Sequence, residues 1–358
     1  MKKILFSMAA IALLFTACDD DKNEINEEQS FKVDMSDFYV YTDTSEDLLS
    51  KATNKKEKTK SCHTMNVLNR QLDQNPGLAK KMYDIEYHTR AFIAGKKGGN
   101  GNGNGGGNNG GGDGGGDPTP DNLGVINIPV YVHVVYSNSN ENISNAQITS
   151  QINILNDDFR KTNNDANQIP SEFSGVAADS EITFTLAGTF RHPDSRTSWG
   201  TNNAVKSDYP PITPQTHLNI WVCNIGGGIL GYAQFPGGNS ATDGVVVSPQ
   251  YFGSTGYVAA PFDGGRTTTH EVGHYLNLRH IWGDGRCRQD DFVADTPSSD
   301  RPNYGCPSYP TAHCRSNDMT MNYMDYVDDA CMYMFSEGQK ARMRAIFASG
   351  GARESMLP

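Results

Sequence analysis

Three histidines and a glutamate fall within one short run, His270-Glu271-Val272-Gly273-His274-Tyr275-Leu276-Asn277-Leu278-Arg279-His280. His270 and His274 are four positions apart, so on a helix they stand one turn apart on one face. Two imidazole nitrogens placed this way can reach one Zn²⁺ at about 2.0–2.1 Å. Glu271 lies about 100° round the helix. From there its carboxylate can hold a water at the metal without ligating it. His280 follows six positions after His274, and on a continuing helix it would point about 240° away from that face. For His280 to become a third ligand the chain must leave the helix between them. Asn277, one of the few non-glycine residues that tolerate φ > 0, stands where the break is needed. The competing reading is three histidines on or after an ordinary surface helix. HExxH alone fits that reading often, and the third histidine at this spacing weighs against it. The preceding Gly264-Gly265-Arg266-Thr267-Thr268-Thr269 offers hydroxyls to cap a helix entering at about Thr268.

At these residues a family resemblance appears. HExxHxxGxxH is the zinc signature of the metzincin proteases, and HEVGHYLNLRH resembles its pappalysin branch, with Asn277 where the family usually has Gly. Asn322-Tyr323-Met324-Asp325-Tyr326 resembles the Met-turn of that family, with Met324 as the turn methionine. The resemblance places the Tyr326 phenol near the metal. Taken alone, Met324 reads as core packing. The resemblance implies a zinc endopeptidase acting on protein or peptide substrates, with Glu271 as its general base. It also implies an α+β, metzincin-like, two-lobed protease domain. The N-terminal lobe is then a twisted mixed sheet with helices, including the zinc helix. The C-terminal lobe is irregular and disulfide-stapled, with one terminal helix. The alternative is a surface-anchored binding protein with a vestigial or structural zinc site. The presence of Glu271 speaks against a vestigial site.

The elements that must position these residues can be followed from the N-terminus. Lys2-Lys3 and the apolar run Ile4–Leu14 form an export signal, too short for a membrane span. Phe15-Thr16-Ala17-Cys18 resembles a lipoprotein cleavage box, so 1–18 reads as a lipoprotein-type signal with Cys18 as the lipidated residue. An ordinary secretory peptide cleaved near Ala17 is the other reading. Either way the chain is exported, at the cell surface or outer membrane or released after processing, and disulfides are allowed. Residues 19–60 are polar and charged and read as a tether.

Residues 61–94 read as a helical pro-segment. Met65, Val67, Leu68 and Leu72 form one apolar stripe, Pro76 interrupts it, and Leu78, Met82, Ile85 and Tyr87 suggest a second short helix. Its start, Ser61-Cys62-His63-Thr64, resembles the pro-segment of pappalysin-like enzymes, in which a cysteine thiolate occupies the open zinc position. Thiolate is a good zinc ligand, so Cys62 is the candidate for the latent form. The other reading of Cys62 is a leftover thiol. Residues 95–120, mostly Gly and Asn, read as a flexible linker open to proteolysis.

Residues 121–358 have globular composition and read as the catalytic domain. Val125–Tyr136 is β-branched and reads as a central strand. Ile143-Ser144 caps a helix whose Ile148, Ile152, Leu155, Asn156 and Phe159 recur at helical spacing. Further strands are expected at Glu181–Leu186, His217–Cys223 and Asp243–Val247. Gly228–Pro236 reads as an edge strand that could pair with an extended substrate. His133 reads as a core residue and His192 as exposed. Ser336-Glu337-Gly338-Gln339 resembles a capping box for a helix ending near Gly350-Gly351.

There are seven cysteines. Beyond Cys18 and Cys62, Cys223 sits in an apolar strand and reads as a buried free thiol. Cys287, Cys306, Cys314 and Cys331 allow three pairings, of which the resemblance implies Cys287–Cys314 and Cys306–Cys331. A second, cysteine-rich zinc site lacks CxxC spacing. Asp284, Asp290, Asp291, Asp295 and Thr296 form a carboxylate-rich loop, and the resemblance makes Asp295 and Thr296 the candidates for Ca²⁺. A solvated acidic loop is the alternative. The net charge of −11 argues against nucleic acid or an anionic membrane surface as partner. Contact with a membrane is then expected only through a lipid at Cys18.

Overall fold

The computed structural model describes residues 33–42, 62–97 and 121–357. The signal at 1–18 with Cys18, most of the tether at 19–60 and most of the linker at 95–120 lie outside the described residues. Five strands form one mixed sheet: β1 (Ile126–Tyr136), β2 (Ile182–Pro193), β3 (Leu218–Val222), β4 (Gly231–Ala233) and β5 (Val245–Val247). Their order is β2-β1-β3-β5-β4. β1 pairs in parallel with β2 and β3, β3 pairs in parallel with β5, and β4 runs antiparallel along β5 as an edge. Every residue of β3 and β5 is buried. That explains their continuous apolar sequences, since a strand covered on both faces shows no polar alternation.

Two helices cross this sheet. Helix α3 (Asn145–Phe159) starts at Ser144, whose side chain accepts from Gln147 N, and buries Ile148, Ile152, Leu155 and Phe159. Helix α4 (Arg266–Tyr275) carries His270, Glu271 and His274 and is buried along its whole length. It begins two residues before the expected Thr268, behind Gly265 at φ 75° rather than behind a hydroxyl cap. The threonine hydroxyls face α3 instead: Thr268 donates to Gln151 at 2.8 Å and Thr269 to Asp158 at 2.7 Å.

After α4 the chain has little regular structure beyond the short pair β6 (Ala312–His313) and β7 (Ser316–Asn317) and helix α5 (Glu337–Ala345). Disulfides Cys287–Cys314 and Cys306–Cys331 interleave, closing spans of 27 and 25 residues. Cys223 is free and buried. A capping box from Ser336 and Gln339 starts α5. The result is a mixed-sheet lobe and an irregular, stapled lobe, the expected α+β arrangement.

Ahead of this domain lie α1 (Thr64–Gln74) and α2 (Leu78–Lys97). Helix α2 is not short: its 20 residues run past the boundary expected at 94, and Tyr87 lies on its exposed face. Residues 33–42, inside the expected tether, pack on the protein because Phe38 and Tyr39 pack tilted and edge-on against Phe292. The polar composition of 19–60 conceals this aromatic pair. His192 is half-buried rather than exposed, since it stacks on Tyr209 at 4.3 Å and on buried His133 at 5.6 Å.

Candidate active site

The helix ends where the sequence requires it. Tyr275 is the last helical residue and Asn277 takes φ 74°, turning the chain back over the helix end. His280 thereby returns to the face of His270 and His274. His274 Nε2 lies 3.2 Å from His270 Nε2 and 3.1 Å from His280 Nε2. The three rings are buried.

The outer nitrogen of each ring is tied off. His270 Nδ1 is 2.7 Å from the Tyr323 carbonyl and His274 Nδ1 is 2.8 Å from the Leu278 carbonyl. His280 Nδ1 is bonded to the Asp284 carboxylate. A carbonyl or carboxylate accepts only from a protonated Nδ1, which makes Nε2 of each neutral ring the unprotonated nitrogen, with its lone pair toward the centre. Three lone pairs converging in a buried space repel one another unless a cation lies between them.

Cys62 completes the cluster. Its Sγ lies 3.6 Å from His274 Nε2, and the four donor atoms all fall within 4.8 Å of one another. A tetrahedral zinc with Zn–N of about 2.05 Å and Zn–S of about 2.3 Å sets N···N near about 3.3 Å and N···S near about 3.6 Å. The donor set and its spacing therefore fit zinc. Burial pushes the Cys62 thiol well above its usual range, and the neighbouring Glu271 carboxylate adds to that. A divalent cation among the donors opposes both effects.

Glu271 sits beside the cluster on α4, buried. Its Oε2 accepts from the Thr64 hydroxyl at 2.7 Å and lies 3.5 Å from Cys62 Sγ. Edge strand β4 passes so close to it that only glycine fits. A Cβ on Gly231 would meet Glu271 Cγ at 2.8 Å and the Val246 carbonyl at 3.0 Å. Tyr326 closes the other side, its ring centroid 5.7 Å from His270 and 4.9 Å from His280. Its hydroxyl donates to the Cys62 carbonyl at 3.3 Å. Beneath the helix lies Met324, fully buried; a Cβ on Gly273 would come within 2.4 Å of its sulfur.

The pro-segment enters this site alongside β4. Cys62 bridges Gly231 in the parallel sense, His63 N donates to the Gly231 carbonyl at 3.1 Å, and Ala233 N donates to the Thr64 hydroxyl at 2.7 Å. Met65, Leu68 and Leu72 of α1, with Leu78 and Met82 of α2, cover Phe235. Glu86 of α2 is held by Arg342 of α5 at 2.7 Å.

The fold thus brings together the sequence-expected site residues His270, Glu271, His274, His280, Cys62, Met324 and Tyr326. Asp295 and Thr296 lie elsewhere. Asp295 accepts from Ser336 Oγ at 2.6 Å and Gly338 N at 2.8 Å, fastening the start of α5, and the Thr296 hydroxyl donates to Asp291 at 2.8 Å. Two contributors went unrecognised. Asp284 looked like one acid of a loop, though its spacing of four from His280 was a signal. Thr64 carries no signal in the sequence beyond its place in the Ser61–Thr64 motif, and its contact with Glu271 needs the folded chain.

The geometry has counterparts among known proteins. Residues 212–348 match the peptidase family described as "Pregnancy-associated plasma protein-A". An extracellular metalloprotease of Arthroderma benhamiae is 32% identical over 246 residues, covering 64% of this chain and 76% of the relative. One of Pyricularia oryzae is 33% identical over 236 residues, covering 62% and 75%. Mature mirolysin of Tannerella forsythia, solved with a cleaved peptide, is 46% identical with a TM-score of 0.64, over 65% of this chain and 96% of that one. A mutant of Tannerella forsythia promirolysin is 39% identical with a TM-score of 0.70, over 83% of this chain and 96% of that one. The precursor form thus matches more of this chain than the mature form does. The chain belongs to the pappalysin family of zinc metalloproteases, in a precursor form of the promirolysin type.

Proposed function

We propose that this protein is an exported zinc endopeptidase in which His270, His274 and His280 hold the metal and Cys62 takes its fourth position until the pro-segment leaves. The observation that carries this reading is the convergence of three Nε2 atoms, that of His274 lying 3.2 and 3.1 Å from those of His270 and His280, with every Nδ1 tied off. Zinc bound there supplies a Lewis acid that brings the pKa of a water to near 7 and polarises a carbonyl oxygen.

The chain's own groups do the rest. Glu271 accepts a proton from the attacking water and returns it to the leaving amine nitrogen. Tyr326, whose hydroxyl here donates to the Cys62 carbonyl, donates to the oxyanion that develops on a substrate carbonyl. The Gly231 carbonyl and the Ala233 N–H, here taken by His63 and Thr64, pair with an extended peptide along β4. Buried surroundings exclude water and strengthen each of these contacts.

The mature catalytic domain begins near 121, after cleavage in or beside the linker at 95–120. Candidate cleavage points are Arg90, Lys96, Lys97 and the linker itself. Lipidation at Cys18 anchors the precursor at the cell surface or outer membrane. A Ca²⁺ site at Asp295 and Thr296 requires the Asp295 carboxylate to serve the ion as well as α5. Peptide cleavage by the processed chain, with and without chelator, tests the reading. Loss of cleavage with chelator and its return with zinc are the expected results. Cleavage unaffected by metal removal overturns the metal assignment.

A further inference from the structure

One aromatic side chain outside the cleft is held in an unfavourable backbone conformation. Phe292 adopts φ 64°, a region that bulky side chains enter only when their surroundings force it. Its N–H is pinned to Asp290 Oδ1 at 2.9 Å. The ring is presented on the loop that follows His280, and three guanidinium groups lie over it: Arg90 at 5.1 Å, Arg279 at 5.0 Å and Arg342 at 5.7 Å. Arg90 belongs to α2, whereas Arg279 and Arg342 belong to the catalytic domain.

In the precursor this platform already carries a peptide. Phe38 packs tilted against Phe292 at 5.6 Å and Tyr39 edge-on at 5.2 Å. The Tyr39 ring lies under Arg279 at 4.6 Å. Arg279 Nη2 donates to the Tyr39 carbonyl at 2.7 Å. The Tyr39 hydroxyl donates to the Asp290 carbonyl at 2.8 Å and also to the Gly283 carbonyl. Beside it, Arg342 holds the Glu86 carboxylate through both terminal nitrogens, at 3.0 and 2.7 Å. Arg279 and Arg342 are 4% and 3% exposed, yet Arg279 Nη1 and Arg342 Nε have no hydrogen-bond partner among the described residues. The nearby carboxylates are engaged within their own loop: Asp284 with His280, Asp290 with Phe292 N, and Asp291 with Thr296.

We propose that Phe292 and Arg279 form a peptide-docking site of the mature enzyme, outside the catalytic cleft, that takes an extended segment of a protein substrate carrying a tyrosine. This rests on the precursor reading above, in which segment 33–42 and α2 depart together. Their departure leaves a half-buried aromatic ring and two guanidinium groups without the partners that now cover them. The chemistry they recognise is written in segment 33–42: an aromatic ring against Phe292 and Arg279, and a backbone carbonyl for Arg279.

The test uses the processed enzyme and the synthetic peptide Val-Asp-Met-Ser-Asp-Phe-Tyr-Val-Tyr-Thr, the sequence of residues 33–42. Labelled peptide should bind saturably by fluorescence polarisation. Binding should weaken when the tyrosine corresponding to Tyr39 is replaced by alanine, and also with Phe292→Ala enzyme. A cleavable peptide joined to this tail through a Gly/Ser linker should show kcat/KM raised by about ten-fold over the alanine-tailed version. That ratio should fall to about one in Phe292→Ala enzyme. Because the ratio is taken within each enzyme, a general loss of activity cancels. If Phe292→Ala does not fold, the two tails on the unaltered enzyme still decide. No binding, or binding with no gain at any linker length, overturns the proposal; the second outcome makes the platform a seat for the pro-segment alone. Failure to cleave even the untailed peptide would count against the hydrolase reading, and the polarisation result would still judge the docking site.

Discussion

The Thr64 hydroxyl donates to Glu271 Oε2 at 2.7 Å while accepting from Ala233 N at 2.7 Å. One pro-segment side chain thus occupies the proposed base and a substrate-binding amide of β4 together. Cys62, two residues earlier, occupies the proposed metal position. The precursor is therefore closed at both halves of the chemistry, and the two closures can be separated by mutation.

Cys62→Ala should remove sulfur from the zinc shell of the unprocessed chain and raise its activity or speed its self-processing. X-ray absorption at the zinc edge, with a peptide assay on the same sample, checks this. An unchanged spectrum together with unchanged latency would mean that the pro-segment inhibits only by covering the cleft.

Thr64→Val leaves the thiol in place but removes a hydrogen bond to a charged group, worth about 1.5–3 kcal/mol. Basal activity of the unprocessed chain should rise by roughly ten-fold or more, with zinc–sulfur ligation retained. If activity stays at the wild-type level, Cys62 alone maintains latency.

Acid should loosen the pro-segment through Glu86. Burial works to raise this carboxyl, but Arg342 and Arg90 outweigh it and hold it at about 2, against 4.5 for an ordinary glutamate. A depressed carboxylate stabilises the docked form above the free value, and that contribution is lost as pH falls from about 4.5 toward about 2. Hydrogen exchange in α2 should accelerate across this window. Glu86→Gln should loosen α2 at neutral pH and flatten the acid response. An acid response unchanged by Glu86→Gln would place the sensitive group elsewhere.

Gly273→Ala tests the support beneath the metal. Helix propensity alone favours alanine by about 1 kcal/mol. The added Cβ, however, would lie 2.4 Å from Met324 Sδ and 3.6 Å from Leu278 Cδ1, and overpacking of this kind costs about 1–3 kcal/mol. Collision should win, lowering the melting temperature of the precursor. A rise would show that Met324 yields freely.

How much of this was legible depended on the range of each signal. His270, Glu271 and His274 are set by helical spacing, and Asn277 announced the turn that returns His280, because those relations are local in the chain. The β-branched run at Ile126–Tyr136 announced a buried strand for the same reason. Thr64 and Glu271 are 207 residues apart, and nothing local to either residue encodes their contact. The Phe38–Tyr39 pair was lost in a polar stretch because its partner, Phe292, lies on a distant loop. Threonines before His270 suggested caps, yet packing against α3 claimed their hydroxyls. Asp284 reads in the sequence as one acid of a carboxylate-rich loop, and only the fold separates a carboxylate that orients His280 from one facing solvent.

The central claim is that three histidines hold one zinc while Glu271, without ligating it, carries the proton. It is tested most directly by measuring zinc content and peptide hydrolysis on the same preparation of processed Glu271→Ala enzyme. The account predicts one zinc per chain, as in the unaltered enzyme, with hydrolysis lower by at least about 10²–10⁴-fold. A variant that hydrolyses at near the unaltered rate, or one that loses its zinc, would contradict it.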